Sequence, residues 1–218
     1  VLLRPFSTSI GGKVVVAITG LLLVGFVLGH MAGNLLIFLG RDWINAYAHH
    51  LKALGALLWV IRAGLLAVFV VHVVTALRLT LGNSAARPVA YVYEDTMQAS
   101  WASRHMALTG LLLLVFIVYH LAHFTAGAVD KANAQYDGTT NKPAKVDKNY
   151  LDLTDALQTV DGVKTWVPAA DKALTGITHP GEEYRHDVYS MVVNGFRNPI
   201  TSVAYLVAMA VLGLHLWH

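Results

Sequence analysis

The sequence predicts an all-α membrane protein, a bundle of transmembrane helices, and three observations carry that expectation. Of 218 residues, 56% are hydrophobic and only 13% are charged, where a soluble domain usually carries about 25% charged residues. Four apolar stretches are each long enough to cross a bilayer, which takes about 20 residues. The chain also has 11 histidines and no cysteine, and histidines recur inside all four stretches.

The first stretch covers residues 14–39 and holds no formal charge. It is far longer than the apolar region of a secretory signal, typically about 7–15 residues. The second covers about 56–81, with Arg62 and Arg78 near its ends. The third covers 106–129. The fourth covers 199–218 and opens on Pro199, a residue suited to a first helical turn because no backbone donor is needed there. Between the third and fourth, residues 130–198 form a polar segment of mixed charge, with Asp130, Asp155, Glu182 and Asp187 beside Lys131, Lys142 and Lys148. It reads as an extramembrane excursion, and its run HDVYSMVVNGF reads as a short interfacial helix before Pro199. No internal repeat or low-complexity tract stands out, so residues 1–218 are taken as a single transmembrane domain.

Lysine and arginine in short loops set orientation. Arg4, Lys13, Arg78, Arg87 and Arg104 lie on one side; Arg41, Lys52 and Arg62 lie on the other. The bias places the N-terminus in the cytoplasm and the long excursion in a periplasm-like space. The net charge of +3 is small and gives no reason to expect nucleic acid.

The absence of cysteine excludes disulfides, iron–sulfur ligation and thiolate haem ligation within this chain. Histidine remains as a neutral metal ligand, and an ionisable residue inside a membrane is costly and usually faces a site. Polar glue between helices is the plain alternative for any single histidine, and four histidine-bearing spans weaken it. His30 lies about 16 residues into the first stretch and His120 about 14 into the third, so both stand ~20–24 Å from the cytoplasmic face. The second and fourth stretches run the other way, which sets His72 and either His215 or His218 nearer the cytoplasm. Two depth-matched pairs follow, His30 with His120 and His72 with His215 or His218. Two histidines on different helices can hold a haem plane from its two faces, and bundle cores suit such sites. A cation transporter would usually add membrane-embedded carboxylates, and the four stretches have none. Gly20, Gly25, Gly29 and Gly33 allow close helix approach. Arg78, Arg104 and His105 are candidate partners for haem propionates at the cytoplasmic side; snorkelling or topology would also account for them.

Several strings resemble the cytochrome b558-type membrane anchor of succinate dehydrogenase and fumarate reductase, the di-haem type of succinate:quinone oxidoreductase. They are GHMAGNLLIF at His30, AYAHHLKALGALLWVIR, HVVTALRL at His72, SRHMALTG, YHLAHFT at His120, DVYSMVVNGFRNP and LGLHLWH. They follow the family's order over nearly the whole chain. The resemblance implies two haem b groups with axial ligands His30, His72, His120 and His218. His218 is preferred to His215 as the second histidine of the H-x-x-H run, and His123 stands as the alternative to His120. It further implies flavoprotein and iron–sulfur partners on the cytoplasmic side, a quinone (menaquinone) as substrate, and the bacterial inner membrane as location. Electrons would reach the haem at His72 and His218 before the haem at His30 and His120. Boundary residues Tyr47, His49, His50, Trp59 and Arg62 are the candidate quinone contacts, and interfacial anchoring is their alternative role. Such anchors usually have five membrane helices; four are found here, the fifth being missing from the sequence. The haem-b subunit of a hydrogenase or formate dehydrogenase, and a haem-free anchor, are the alternatives.

Overall fold

The structure, a computed structural model, describes residues 8–87, 89, 93, 97–129, 157–160, 163–166 and 187–217. In chain order the elements are α1 (Ser9–Leu35), a 3₁₀ turn (Leu36–Leu39), α2 (Arg41–Ala53), α3 (Ala56–Ala85), α4 (Trp101–Arg104), α5 (Met106–His120) continuing into a π-helical turn (Leu121–Thr125), β1 (Leu157–Val160), β2 (Val163–Trp166), α6 (Val188–Phe196) and α7 (Pro199–Leu216). Four of the helical segments are long and apolar enough to cross a membrane: Ser9–Leu39, Ala56–Ala85, Met106–Thr125 and Pro199–Leu216. The all-α expectation is met apart from one antiparallel hairpin, in which Leu157 pairs with Trp166 and Val160 with Val163. The rest of the 130–186 excursion lies outside the described residues.

Each boundary has a local cause. Thr8 caps α1 by accepting from Gly11 N at 3.0 Å, which starts the helix five residues before the apolar run. Gly40 (φ 112°) and Gly55 (φ 53°) supply the backbone turns on either side of α2, conformations that a side chain with a Cβ rarely adopts. Ser100 caps α4, accepting from Ser103 N at 3.1 Å. Asn198 Oδ1 accepts from Ile200 N at 3.0 Å, and Pro199 follows in the first turn of α7. The expected interfacial helix is α6, capped by Asp187.

The long helices pair as two antiparallel hairpins. Gly12 of α1 lies against Leu79 of α3, and Gly20 lies against His72. In the second hairpin Tyr119 of α5 meets Thr201 of α7 at 3.2 Å, and Gly110 lies against His215. His30 and His120 bring the far ends of α1 and α5 to one level, so the two hairpins run the same way. Large apolar side chains cover the outside: Leu21 is 74% exposed, Leu206 71% and Val115 64%. Apolar exposure of this extent fits surroundings of lipid rather than water.

The hairpins carry a repeat. AITGLLLVGFVLGH (17–30) and ALTGLLLLVFIVYH (107–120) share 8 of 14 residues, among them the Thr-Gly pair and the final histidine. His72 and His215 each stand sixteen residues after the first residue of α3 and α7. A short helix, α2 or α6, precedes the second long helix of each unit.

α2 and α6 pack together at the end of the bundle that holds His30 and His120. Asn45 is fully buried there. Its Nδ2 donates to Asp187 Oδ1 at 3.1 Å and its Oδ1 accepts from Tyr189 N at 2.9 Å. Arg41 donates to Asp187 Oδ2 and to Ser190 Oγ. Burial raises the pKa of Asp187, but hydrogen bonds from Ser190 and Asn45 and the Arg41 charge outweigh it and hold the carboxyl below its ordinary value. A carboxyl with a depressed folded pKa stabilises fully above its unfolded value, near 4, and less as pH falls through the folded one. Acidification below about pH 4 is therefore expected to loosen α2 from α6. Hydrogen exchange of the Tyr189 amide should rise there in the native chain and not in Asp187→Asn, which has lost that titration.

Candidate functional site

The expected pairing of His30 with His120 is present. Their ring centroids lie 5.8 Å apart with planes at 89°. Phe26 stacks on His30 at 5.4 Å and Phe116 on His120 at 5.9 Å, each one turn back along its own helix. His120 Nδ1 meets Tyr205 OH of α7 at 3.1 Å. Of the two histidines on this helix, His120 faces His30. His123 is 4% exposed and sits in the π turn, stacked on Phe124 at 4.0 Å. Such turns are frequent at functional sites. A Cβ at Gly25 or Gly29 would meet no atom within 4 Å, so open space adjoins His30.

The second layer lies toward the other end of the bundle. Thr19 Oγ1 donates to Val15 O at 2.7 Å. With that proton on the carbonyl, its 3.0 Å contact with His72 Nδ1 suits the tautomer in which the imidazole N–H donates and the hydroxyl accepts. The same device recurs in the second unit: Thr109 Oγ1 donates to Met106 O at 3.0 Å and accepts from His215 Nδ1 at 3.0 Å. A histidine whose Nδ1–H is held by a hydrogen bond ligates a metal through Nε2, the arrangement ligating histidines usually show. Glycine eases each approach, because a Cβ at Gly20 or Gly110 would fall 3.3 Å from the Cε1 of His72 or His215 and push the ring back by a few tenths of an ångström. His218, the expected fourth ligand, lies outside the described residues.

Eleven residues separate Thr19 from His30 and Thr109 from His120. At about 1.5 Å per residue, the two histidine layers are ~16 Å apart along the helices. Among the described residues no group of three or more His, Asp or Glu is placed to hold a bare metal ion; His30 and His120 meet ring to ring, while His72 and His215 each meet a threonine of the neighbouring helix.

The remaining expected residues fall at the two ends. Arg78 lies on α3 six residues past His72, and Arg104 ends α4. His105 is committed locally: its Nδ1 meets Trp101 O at 2.8 Å and its ring stacks on Trp101 at 4.3 Å. At the α2 end, Tyr47 packs so closely on Gly33, one turn past His30, that a Cβ there would lie 2.6 Å from its ring. His49 and His50 meet edge to face at 6.2 Å. The Arg62 guanidinium lies 5.0 Å from the Trp59 ring, and Trp59 is exposed. Burial, and then the nearby Arg62 charge, bring Lys52 down to about 8. The sequence reading missed Thr19, Thr109, Tyr205 and Asn45. A polar residue at helical spacing within an apolar run is the signal that marks the first three.

No protein-family model, curated protein or solved structure matches this chain.

Proposed function

We propose that the chain is a di-haem electron-transfer subunit of the membrane, with His30 and His120 holding one b haem and His72 and His215 the other. The observation that carries this reading is the doubled Thr–His contact, 3.0 Å from a threonine hydroxyl to Nδ1 of His72 and of His215, which suits Nδ1–H on both rings. The His30–His120 spacing suits the same purpose. Two metal–nitrogen bonds of about 2 Å each, with the inner half of each ring added, set centroids about 6 Å apart, against 5.8 Å here. His215 replaces His218 in the proposal because it occupies the register of His72 and, like His72, meets a threonine hydroxyl of the neighbouring helix through Nδ1.

Bound haem would supply one-electron transfer. The chain's residues orient the imidazoles, exclude water with the apolar rings of Phe26 and Phe116, and leave room beside Gly25 and Gly29. With the N-terminus in the cytoplasm, the His72–His215 layer is nearer that side and the His30–His120 layer nearer the outside. The motif resemblance supports a role as anchor of a succinate:quinone oxidoreductase in a bacterial inner membrane, taking electrons from an iron–sulfur partner beside a flavoprotein and passing them to a quinone, menaquinone being the expected one. Tyr47, His49, His50, Trp59 and Arg62 mark the end where that quinone would bind, and Arg78 and Arg104 stand toward the end where inner propionates would need cations. The same hydrogen bonds also suit a haem-free anchor whose histidines join helices. A pyridine haemochrome assay separates the two: the haem reading expects about two b haems per purified chain, and none would overturn it.

A further inference from the structure

The two histidine layers differ in what lies behind Nδ1. In the His72–His215 layer each Nδ1–H ends on a threonine hydroxyl whose own proton is already given to a carbonyl of its helix. In the other layer the partner of His120 is a phenol, Tyr205 OH, at 3.1 Å. That hydroxyl also lies 3.5 Å from His123 Nδ1, the long limit of a hydrogen bond. His123 is buried, and α6 closes over it at Gly195, where a Cβ would fall 3.3 Å from its Cε1. The Tyr205 ring is held from several sides, by Phe116 at 4.9 Å and Phe196 at 4.8 Å. Tyr119, its neighbour, is engaged separately with Thr201.

Resting on the haem reading above, we propose that Tyr205 is the positioning residue of the outer haem: it fixes the tautomer of His120 and, through His123, sets the potential of that haem separately from the inner one. With Nε2 of His120 on iron, Nδ1 carries the proton and donates to Tyr205 O. The Tyr205 proton then goes onward to His123 Nδ1, which leaves His123 protonated on Nε2. A hydroxyl that donates onward becomes a stronger acceptor. A stronger acceptor at Nδ1 makes the ligating nitrogen more basic and favours ferric iron. In the threonine layer the hydroxyl proton goes to a backbone carbonyl instead, so the two haems would be tuned by different means.

The test is an equilibrium redox titration of the haem-loaded protein, following each haem by its absorbance. Tyr205→Phe keeps the ring and removes the oxygen. It is expected to retain both haems and to move only the outer one toward the ferrous form, by about tenfold in its equilibrium constant, which is ~59 mV for one electron. His123→Phe, which keeps a stacking ring beside Phe124, is expected to move the same haem in the same direction by less. Tyr119→Phe, which removes a neighbouring hydroxyl bonded elsewhere, is expected to move neither. Unchanged midpoints in Tyr205→Phe, or equal movement of both haems, would overturn the proposal. If Tyr205→Phe does not fold, His123→Phe decides by the same readout. Absence of haem from the unsubstituted protein would instead overturn the haem reading, and the proposal with it.

Discussion

His72→Ala is expected to purify with about one haem per chain instead of two, and the haem that remains is the one between His30 and His120. His72 contacts α1 at Thr19 and Gly20. On the proposed assignment, removing its ring would delete one of the two histidines holding that haem and leave the other layer, ~16 Å away, untouched. His215→Ala is expected to give the same protein, with the same single redox transition. His218→Ala is expected to keep both haems. Retention of the inner haem in His215→Ala together with its loss in His218→Ala would return the fourth ligand to the residue favoured by the motif. Loss of the outer haem alone in His72→Ala would show the pairing between layers to be wrong.

Asn45→Ala is expected to be the most destabilising substitution outside the histidine layers. Asn45 is fully buried and bonds Asp187 on one side and the Tyr189 amide on the other. Alanine leaves the Tyr189 amide without its acceptor, while Asp187 keeps the Ser190 amide and Arg41. A buried group left unsatisfied costs about 1–3 kcal/mol, and the first turn of α6 bears most of the damage. Thermal unfolding in detergent should shift down markedly. Because α6 also rests on Phe124 and His123 through Gly195, solvent access to the outer layer should rise with it. A variant with an unchanged midpoint and unchanged access would remove the junction from any closing role.

The four spans were legible because hydropathy reads directly as helix length, and the depth of each histidine followed from a fixed rise per residue. The pairing of His30 with His120 came from that arithmetic. The repeat was in plain view as TGLLL twice, yet leucine-rich runs resemble one another in any two membrane helices. Only the packing shows that Thr19 and Thr109, and the glycines beside them, each meet a histidine ring. The partners of Tyr205 and Asn45 were not legible for a different reason: they lie 82 to 144 residues away in sequence, across the 130–186 excursion, and no local pattern encodes such a meeting. Asn45 in particular reads as one more polar residue of an amphipathic helix. The early start of α1 was not read, because the apolar count begins at residue 14 and passes over Thr8, an ordinary cap ahead of the helix.

The repeated unit carries a thermodynamic consequence. On the proposed assignment each half of the chain would supply one ligand to each layer: His30 and His72 from the first, His120 and His215 from the second. Neither half can complete a site by itself. On the proposed assignment each haem is therefore a rivet across the seam between two hairpins, and cofactor uptake and docking of the halves draw on one linked equilibrium. Whatever lowers haem affinity by a factor loosens the seam by the same factor, so this chain's folding in the membrane would track the supply of its cofactor.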